Sequence, residues 1–222
     1  MKESHRLITV IDAATRLFIR PGYAETKMKE IAAAANLSVG ALYHLFESKE
    51  ALLDFVFRSN INPDLVFSVK QFPISRADTQ SFLAAMNATY HRITEELDKK
   101  IESPGYSLEQ LLNDLYDIFA RHGARLLIIE KNQHLNDKLL ALHRNYRQAM
   151  FERVRHFLLL QIQAKHIRAL TSAACEAQLI IDTLMWWCAH KRYDAFEADN
   201  SPSPDVMRTV VIRTLWYAYR CQ

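Results

Sequence analysis

The segment Ser38–Leu52, SVGALYHLFESKEAL, sets small residues beside a tyrosine and a histidine and then supplies a serine-lysine pair. At about 100° per residue, Leu42 and Phe46 point together, Gly40, Ala41 and His44 take the opposite face, and Val39 and Tyr43 lie at its edges. That outer face carries no long side chain before Tyr43, so its backbone can approach another surface closely, as a helix entering a major groove must. The same pattern also describes an ordinary short surface helix, and helix-turn-helix geometry occurs in proteins that never touch DNA.

Short helices must position these side chains. Leu7, Val10, Ile11, Ala14, Leu17 and Phe18 share one face of a first helix, which Arg20-Pro21-Gly22 ends. Met28, Ile31, Ala32 and Ala35 then recur at helical spacing after Thr26, whose hydroxyl suits the N-cap of a second helix ending at Asn36. Asn36 tolerates the left-handed conformation, Leu37 anchors the turn, and Ser38 caps a third helix running to about Phe46. Ser48 caps a fourth, with Glu50 in the first turn, where negative charge suits the helix dipole. From Asn60 to Ile74 the pattern breaks around Pro63 and Pro73, and this reads as a linking stretch.

Longer helices follow. Phe82, Met86, Tyr90, Ile93 and Leu97 form one stripe; Leu108, Leu111, Leu112, Leu115 and Phe119 a second; Leu139, Leu142, Tyr146, Met150, Val154, Phe157 and Leu158 a third. Ser103-Pro104-Gly105 and His122-Gly123 are expected to punctuate them. Ala173–His190 and Val206–Tyr219 are apolar around much of their circumference and need partners on more than one side. Either they are internal to one chain, or Leu179, Thr183, Trp186, Trp187, Val210, Trp216 and Tyr217 belong to an interface between two copies.

The bulk numbers agree with an all-α protein: 222 residues, half of them apolar and a quarter charged, with 4 Gly and 6 Pro. The N-terminal stretch lacks the apolar run of a signal sequence, and no segment approaches the roughly 20 apolar residues of a membrane span, so a soluble cytoplasmic protein is expected. Cys175, Cys188 and Cys221 are odd in number and widely spaced, which disfavours a disulfide framework. No two of the nine histidines stand three or four apart, as a helical metal site needs, and neither a phosphate-binding glycine loop nor a nucleophile elbow occurs. The expectation is a non-enzyme with no catalytic residues, metal or cofactor. Net charge is +3, and residues 1–58 carry eight Lys/Arg against seven Asp/Glu, so any case for DNA rests on where charges sit.

Ala13, Ala14 and Phe18, then Gly22-Tyr23, Thr26, Ile31-Ala32, Ala35, Ser38, Gly40, Leu42-Tyr43, Phe46, Lys49 and Leu52 stand at the spacing of the tetracycline-repressor (TetR) family, which residues 6–53 resemble. The resemblance implies a three-helix, helix-turn-helix DNA-binding domain over 1–53 and a larger helical ligand-binding and dimerisation domain over 54–222. It places Val39, Gly40, Ala41, Tyr43 and His44 against DNA, with Thr26, Tyr43 and Lys49 on phosphates, Ser38 among the polar groups facing the groove, and Lys27 and Lys29 in support. Leu45 stands where that family usually has a polar residue. Sequence choice is then expected to lean on methyl contacts from Val39 and Ala41, on His44, and on DNA shape.

Beyond residue 53 the resemblance is architectural. It implies that the last two helices form a four-helix bundle with a twin chain, so that a two-fold dimer meets a near-palindromic operator. Phe82, Met86, Tyr90, Tyr116, Phe119, Tyr146 and Met150 are the candidates to line an effector cavity, although such a stripe equally describes plain core; Arg92, His122, Arg125 and Asp182 are candidate polar contacts. Two readings result. One is a TetR-like transcriptional regulator, read as a repressor, that binds double-stranded DNA as a homodimer and answers to a small molecule. The other is a helical ligand-binding or interaction protein of the same fold without specific DNA recognition.

Overall fold

The computed structural model describes residues 2–193 and 202–221. The chain packs as two compact units: an N-terminal one, Met1–Asn87 with Ala124–Leu140, and a C-terminal one, Ala88–Gly123 with Ala141–Gln222. This division by packing does not follow the 1–53 and 54–222 division by sequence. Among the described residues there is no β-strand, only isolated bridges. No helix among them is long and apolar enough to cross a membrane.

In the N-terminal unit, α1 (Lys2–Leu17) packs against α2 (Met28–Ala34), α4 (Lys49–Ile61) and α5 (Leu65–Ser68). Leu7, Val10 and Ala14 of α1 and Phe18 just beyond it are fully buried, whereas Ile11 and Leu17 sit half-buried at the edge of the stripe. Asn36, at φ 54°, ends α2, and the amide of Leu37 donates back to the Ala32 carbonyl at 2.8 Å. Ser38 caps α3 (Val39–Leu45) by accepting from the Ala41 amide, and Ser48 caps α4 by accepting from that of Ala51.

The expected linker is partly ordered. After α5 the chain returns as a strap, Val69–Ile74, bent at Gln71–Pro73, to the turn between α3 and α4. There the amide of Glu47 donates to the Ile74 carbonyl at 3.1 Å, and that of Ile74 donates to the Leu45 carbonyl at 2.8 Å.

The remaining helices are α6 (Thr79–Ile101), α7 (Leu108–Lys131), α8 (Asp137–Gln163), α9 (Ala173–Met185), continued by a π-helical turn Trp186–His190 and α10 (Lys191–Tyr193), and α11 (Pro204–Tyr219). In the C-terminal unit the predicted stripes are buried, apart from half-buried Leu142. Arg208 of α11 clasps Asp117 of α7 at 2.6 and 3.1 Å, and the Tyr219 hydroxyl donates to Glu176 of α9 at 2.6 Å.

One expected boundary is corrected: α7 runs unbroken through His122-Gly123. A mid-helix glycine costs about 1 kcal/mol relative to alanine, but here it permits close packing, because a Cβ at Gly123 would lie 2.5 Å from that of Ala189. Gly123→Ala is therefore expected to lower stability by about 1–3 kcal/mol through overpacking, read as a lower urea midpoint. Adding Ala189→Gly should recover part of the loss; an unchanged midpoint in the single variant would show that the helices are not this close.

Candidate nucleic-acid interface

Helix α3 turns Leu42 and Leu45 into the protein, at 0 % and 1 % exposure, and leaves Ser38, Val39, Gly40, Tyr43 and His44 exposed, with Ala41 half-buried. The structure thus brings together the residues expected on the reading face. It also corrects Leu45: its side chain is core, so position 45 offers no surface at which a contact is missing. Gly40 behaves unlike Gly123. A Cβ there would meet nothing within 4 Å, and Gly40 has no positive φ. No internal contact requires a glycine at this position, and the helix forgoes about 1 kcal/mol relative to alanine.

The expected cap of α2 is corrected, and both residues expected on phosphates, Thr26 and Lys49, have their side-chain donors engaged within the chain. Thr26 is fully buried and does not cap α2; the N-cap is exposed Lys27, whose amide donates to Glu30 at 2.8 Å. The Thr26 hydroxyl instead donates inward, towards the carbonyls of Gly22 at 2.6 Å and Leu17 at 3.0 Å, because the chain leaving α1 needs its free carbonyls satisfied. Lys49 is half-buried. Its ammonium donates to the carbonyls of Tyr23 and Thr26, both at 2.9 Å, and lies 4.3 Å from the Tyr23 ring centroid. Lys49 is a tie between α4 and the turn before α2.

Tyr23 is the hub that residue spacing alone did not assign. Its hydroxyl donates to Glu50 at 3.0 Å, and burial, reinforced by that carboxylate, pushes its phenol well above the ordinary range. Its amide donates to the Asn132 side chain at 2.6 Å, and Asn132 in turn donates to the Phe18 carbonyl at 2.7 Å. No local signal could have revealed Asn132, which reaches this turn from the far end of α7.

The N-terminal unit also holds a cavity of about 270 Å³ lined by Tyr23, Arg76, Phe82 and, from one face of α4, Glu50, Leu53, Asp54 and Phe57. Asp54 is almost wholly buried, 3.5 Å from Arg58, and accepts from the Ala77 amide at 3.3 Å. Burial outweighs these partners and raises its carboxyl above the usual range.

Of the expected effector-site residues, Phe82 lines this cavity and Met86 is buried in the same unit. The other five lie in the C-terminal unit. Tyr90 and Tyr146 stack at 4.3 Å, Tyr116 donates to the Pro204 carbonyl at 3.3 Å, and Phe119 and Met150 are buried. Arg92 pairs with Glu96 and Asp182 accepts from Gln178 on exposed helix faces, while His122 and Arg125 are buried. Among the described residues no group of three or more His, Cys, Asp or Glu is placed to hold a metal ion.

In the C-terminal unit, α9 and α11 pack together and expose Leu179, Trp186, Val206, Val210 and Tyr217, with Thr183, Trp187 and Trp216 half-buried beside them. Val206 joins the expected set because it lies one turn before Val210 on α11.

Residues 10–56 match the profile described as Bacterial regulatory proteins, tetR family. The HTH-type transcriptional repressor KstR2 of Rhodococcus jostii is 33% identical over 87 residues, which cover 39% of this chain and 42% of that protein. The uncharacterized HTH-type transcriptional regulator YuxN of Bacillus subtilis is 49% identical over 53 residues, 24% of this chain and 18% of that one. The chain therefore spans less than half the length of these relatives. Among solved structures, the ketosteroid transcriptional regulator KstR2 of Mycobacterium tuberculosis shares the fold, with a TM-score of 0.58 at 15% identity, covering 98% of this chain and 96% of that one.

The raised carboxyl of Asp54 has a consequence for stability. The folded chain keeps this proton to higher pH than the unfolded chain does, so the residue's contribution falls as pH rises from the unfolded value through the folded one. Asp54→Asn, which mimics the protonated form, should be more stable than the native chain at pH 7, and the gain should vanish near pH 3.5. Urea midpoints at the two pH values test this; a gain that persists in acid would assign it to something other than the buried charge.

Proposed function

We infer that this chain, whose residues 10–56 belong to the tetR family of bacterial regulatory proteins, is a DNA-binding transcriptional regulator. It acts in the cytoplasm, as a homodimer on a near-palindromic double-stranded operator, without catalysis. The observation that carries this reading is Gly40, a glycine that no internal contact requires, at the centre of an exposed helix face whose neighbours are Val39, Ala41, Tyr43 and His44. A small face lets α3 sit deep enough in a major groove for Val39 and Ala41 to touch thymine methyl groups and for His44 to meet a base edge. Tyr43 and Ser38 add hydroxyls for the backbone, and the exposed Lys27 adds charge at the start of α2.

The exposed apolar face of α9 and α11 supports the homodimer. Aromatic and branched residues gathered on one surface are what an interface core requires. Two-fold pairing there gives two reading helices and hence a palindromic site. The description of the Rhodococcus relative as a repressor supports repression as the mode of action. Response to a small molecule is supported by the cavity behind α4, because Glu50, Leu53, Asp54 and Phe57 wall it from the helix that follows the reading helix after a short turn. An occupant that favours one position of α4 over another changes the population of DNA-competent chains.

Selection of bound sequences from random duplex DNA tests the first part. The native chain should recover a near-palindromic consensus, and Gly40→Leu should fall toward non-specific affinity, about 1,000-fold weaker or more, while keeping its fold. A consensus bound equally well by Gly40→Leu would sink the close-approach reading; no consensus at all would favour a helical ligand-binding or interaction protein. For the interface, Leu179→Glu with Val210→Glu should sediment as a folded monomer where the native chain sediments as a dimer. A native monomer would overturn the dimer.

A further inference from the structure

The reading helix does not end in open solvent. The strap Val69–Ile74 is pinned to its C-terminal end by the paired backbone hydrogen bonds of Ile74 with Leu45 and Glu47. The bridge between Phe46 and Ile74 is parallel, so the residues preceding Ile74 run back beside the last turn of α3. Phe72 confirms this course: its ring stacks on that of His44, with centroids 6.1 Å apart and planes at 23°. Phe72 is half-buried, while Lys70 and Gln71 are exposed.

We propose that the strap is a second DNA-contacting element, in which Lys70 meets the phosphate backbone beside the groove entered by α3 and Phe72 positions His44 for base contact. This rests on the DNA-binding reading above and extends it beyond the helix-turn-helix. Two residues of chain span at most about 7 Å, so the backbone of Lys70 lies within that distance of Phe72, beside the end of α3. The N-terminal unit is otherwise nearly balanced in charge over residues 1–58, and its Lys49 is turned inward, so a cation at residue 70 supplies what the reading face itself lacks. A ring stacked on His44 also restricts the imidazole to fewer orientations, which sharpens a hydrogen bond to one base edge.

The test uses the full-length chain and the duplex it selects, with affinity measured against salt concentration. Lys70→Ala should make the slope of log affinity against log salt shallower by about 0.9 per protomer, while Lys99→Ala, an exposed lysine of the C-terminal unit, leaves it unchanged. Phe72→Ala should keep the native slope but lose discrimination, on the order of 10-fold, at the same base pair that His44→Ala affects. A native slope for Lys70→Ala, or unaltered discrimination in Phe72→Ala, overturns the strap's role while leaving the DNA-binding reading intact. Failure of the native chain to select any duplex overturns both.

Discussion

The ammonium of Lys49 on the carbonyl oxygens of Tyr23 and Thr26 is the contact on which the geometry of the N-terminal unit depends. It closes the loop formed by α2, α3 and the turns around them, so that the start of α4 is fixed to the chain entering α2. A hydrogen bond from a charged donor contributes about 1.5–3 kcal/mol, and the ammonium over the Tyr23 ring adds about 0.5–1 kcal/mol. Neighbouring contacts share the load: Thr26 satisfies the carbonyls that α1 leaves open, Tyr23 ties to Glu50, and Asn132 holds the Tyr23 amide and the Phe18 carbonyl together. Between the two fixed ends of the loop, α3 stands with its small outer face exposed.

From that frame the functional surfaces follow in order. The strap is hydrogen-bonded to the far end of α3, and the ring of Phe72 stacks on that of His44 on the exposed face of that helix. Behind α4, the same helix that carries Lys49 walls a cavity, so the tie and any cavity occupant act on one rigid body. Asp54 shows the tension there: a carboxyl kept in the wall at the expense of stability, with Arg58 and the Ala77 amide only partly offsetting its burial.

How much of this the sequence carried depends on range. Ser38, Ser48 and Asn36 announced the ends of α2, α3 and α4 because a cap is decided by groups within four residues of it, and the apolar stripes announced the buried faces because helical period decides them. The reading face was legible for the same reason. The inward contacts of Thr26 and Lys49 were not legible because their partners lie elsewhere in the chain, whereas Leu45, three residues after Leu42, shares its buried face by helical period. The Thr26 hydroxyl turns to the end of α1, and Lys49 reaches back to the turn before α2. Gly123 looked like a helix stop because its reason for being small, Ala189, stands on another helix.

The measurement that most directly tests the tie is Lys49→Met, which keeps the aliphatic stem and removes the charge, examined for both urea stability and the salt dependence of binding to the selected duplex. If Lys49 braces the frame, stability falls by about 2 kcal/mol and the salt slope of the chains that remain folded matches the native one. Native stability with a slope shallower by about 0.9 per protomer would show that Lys49 contacts phosphate and would contradict the account.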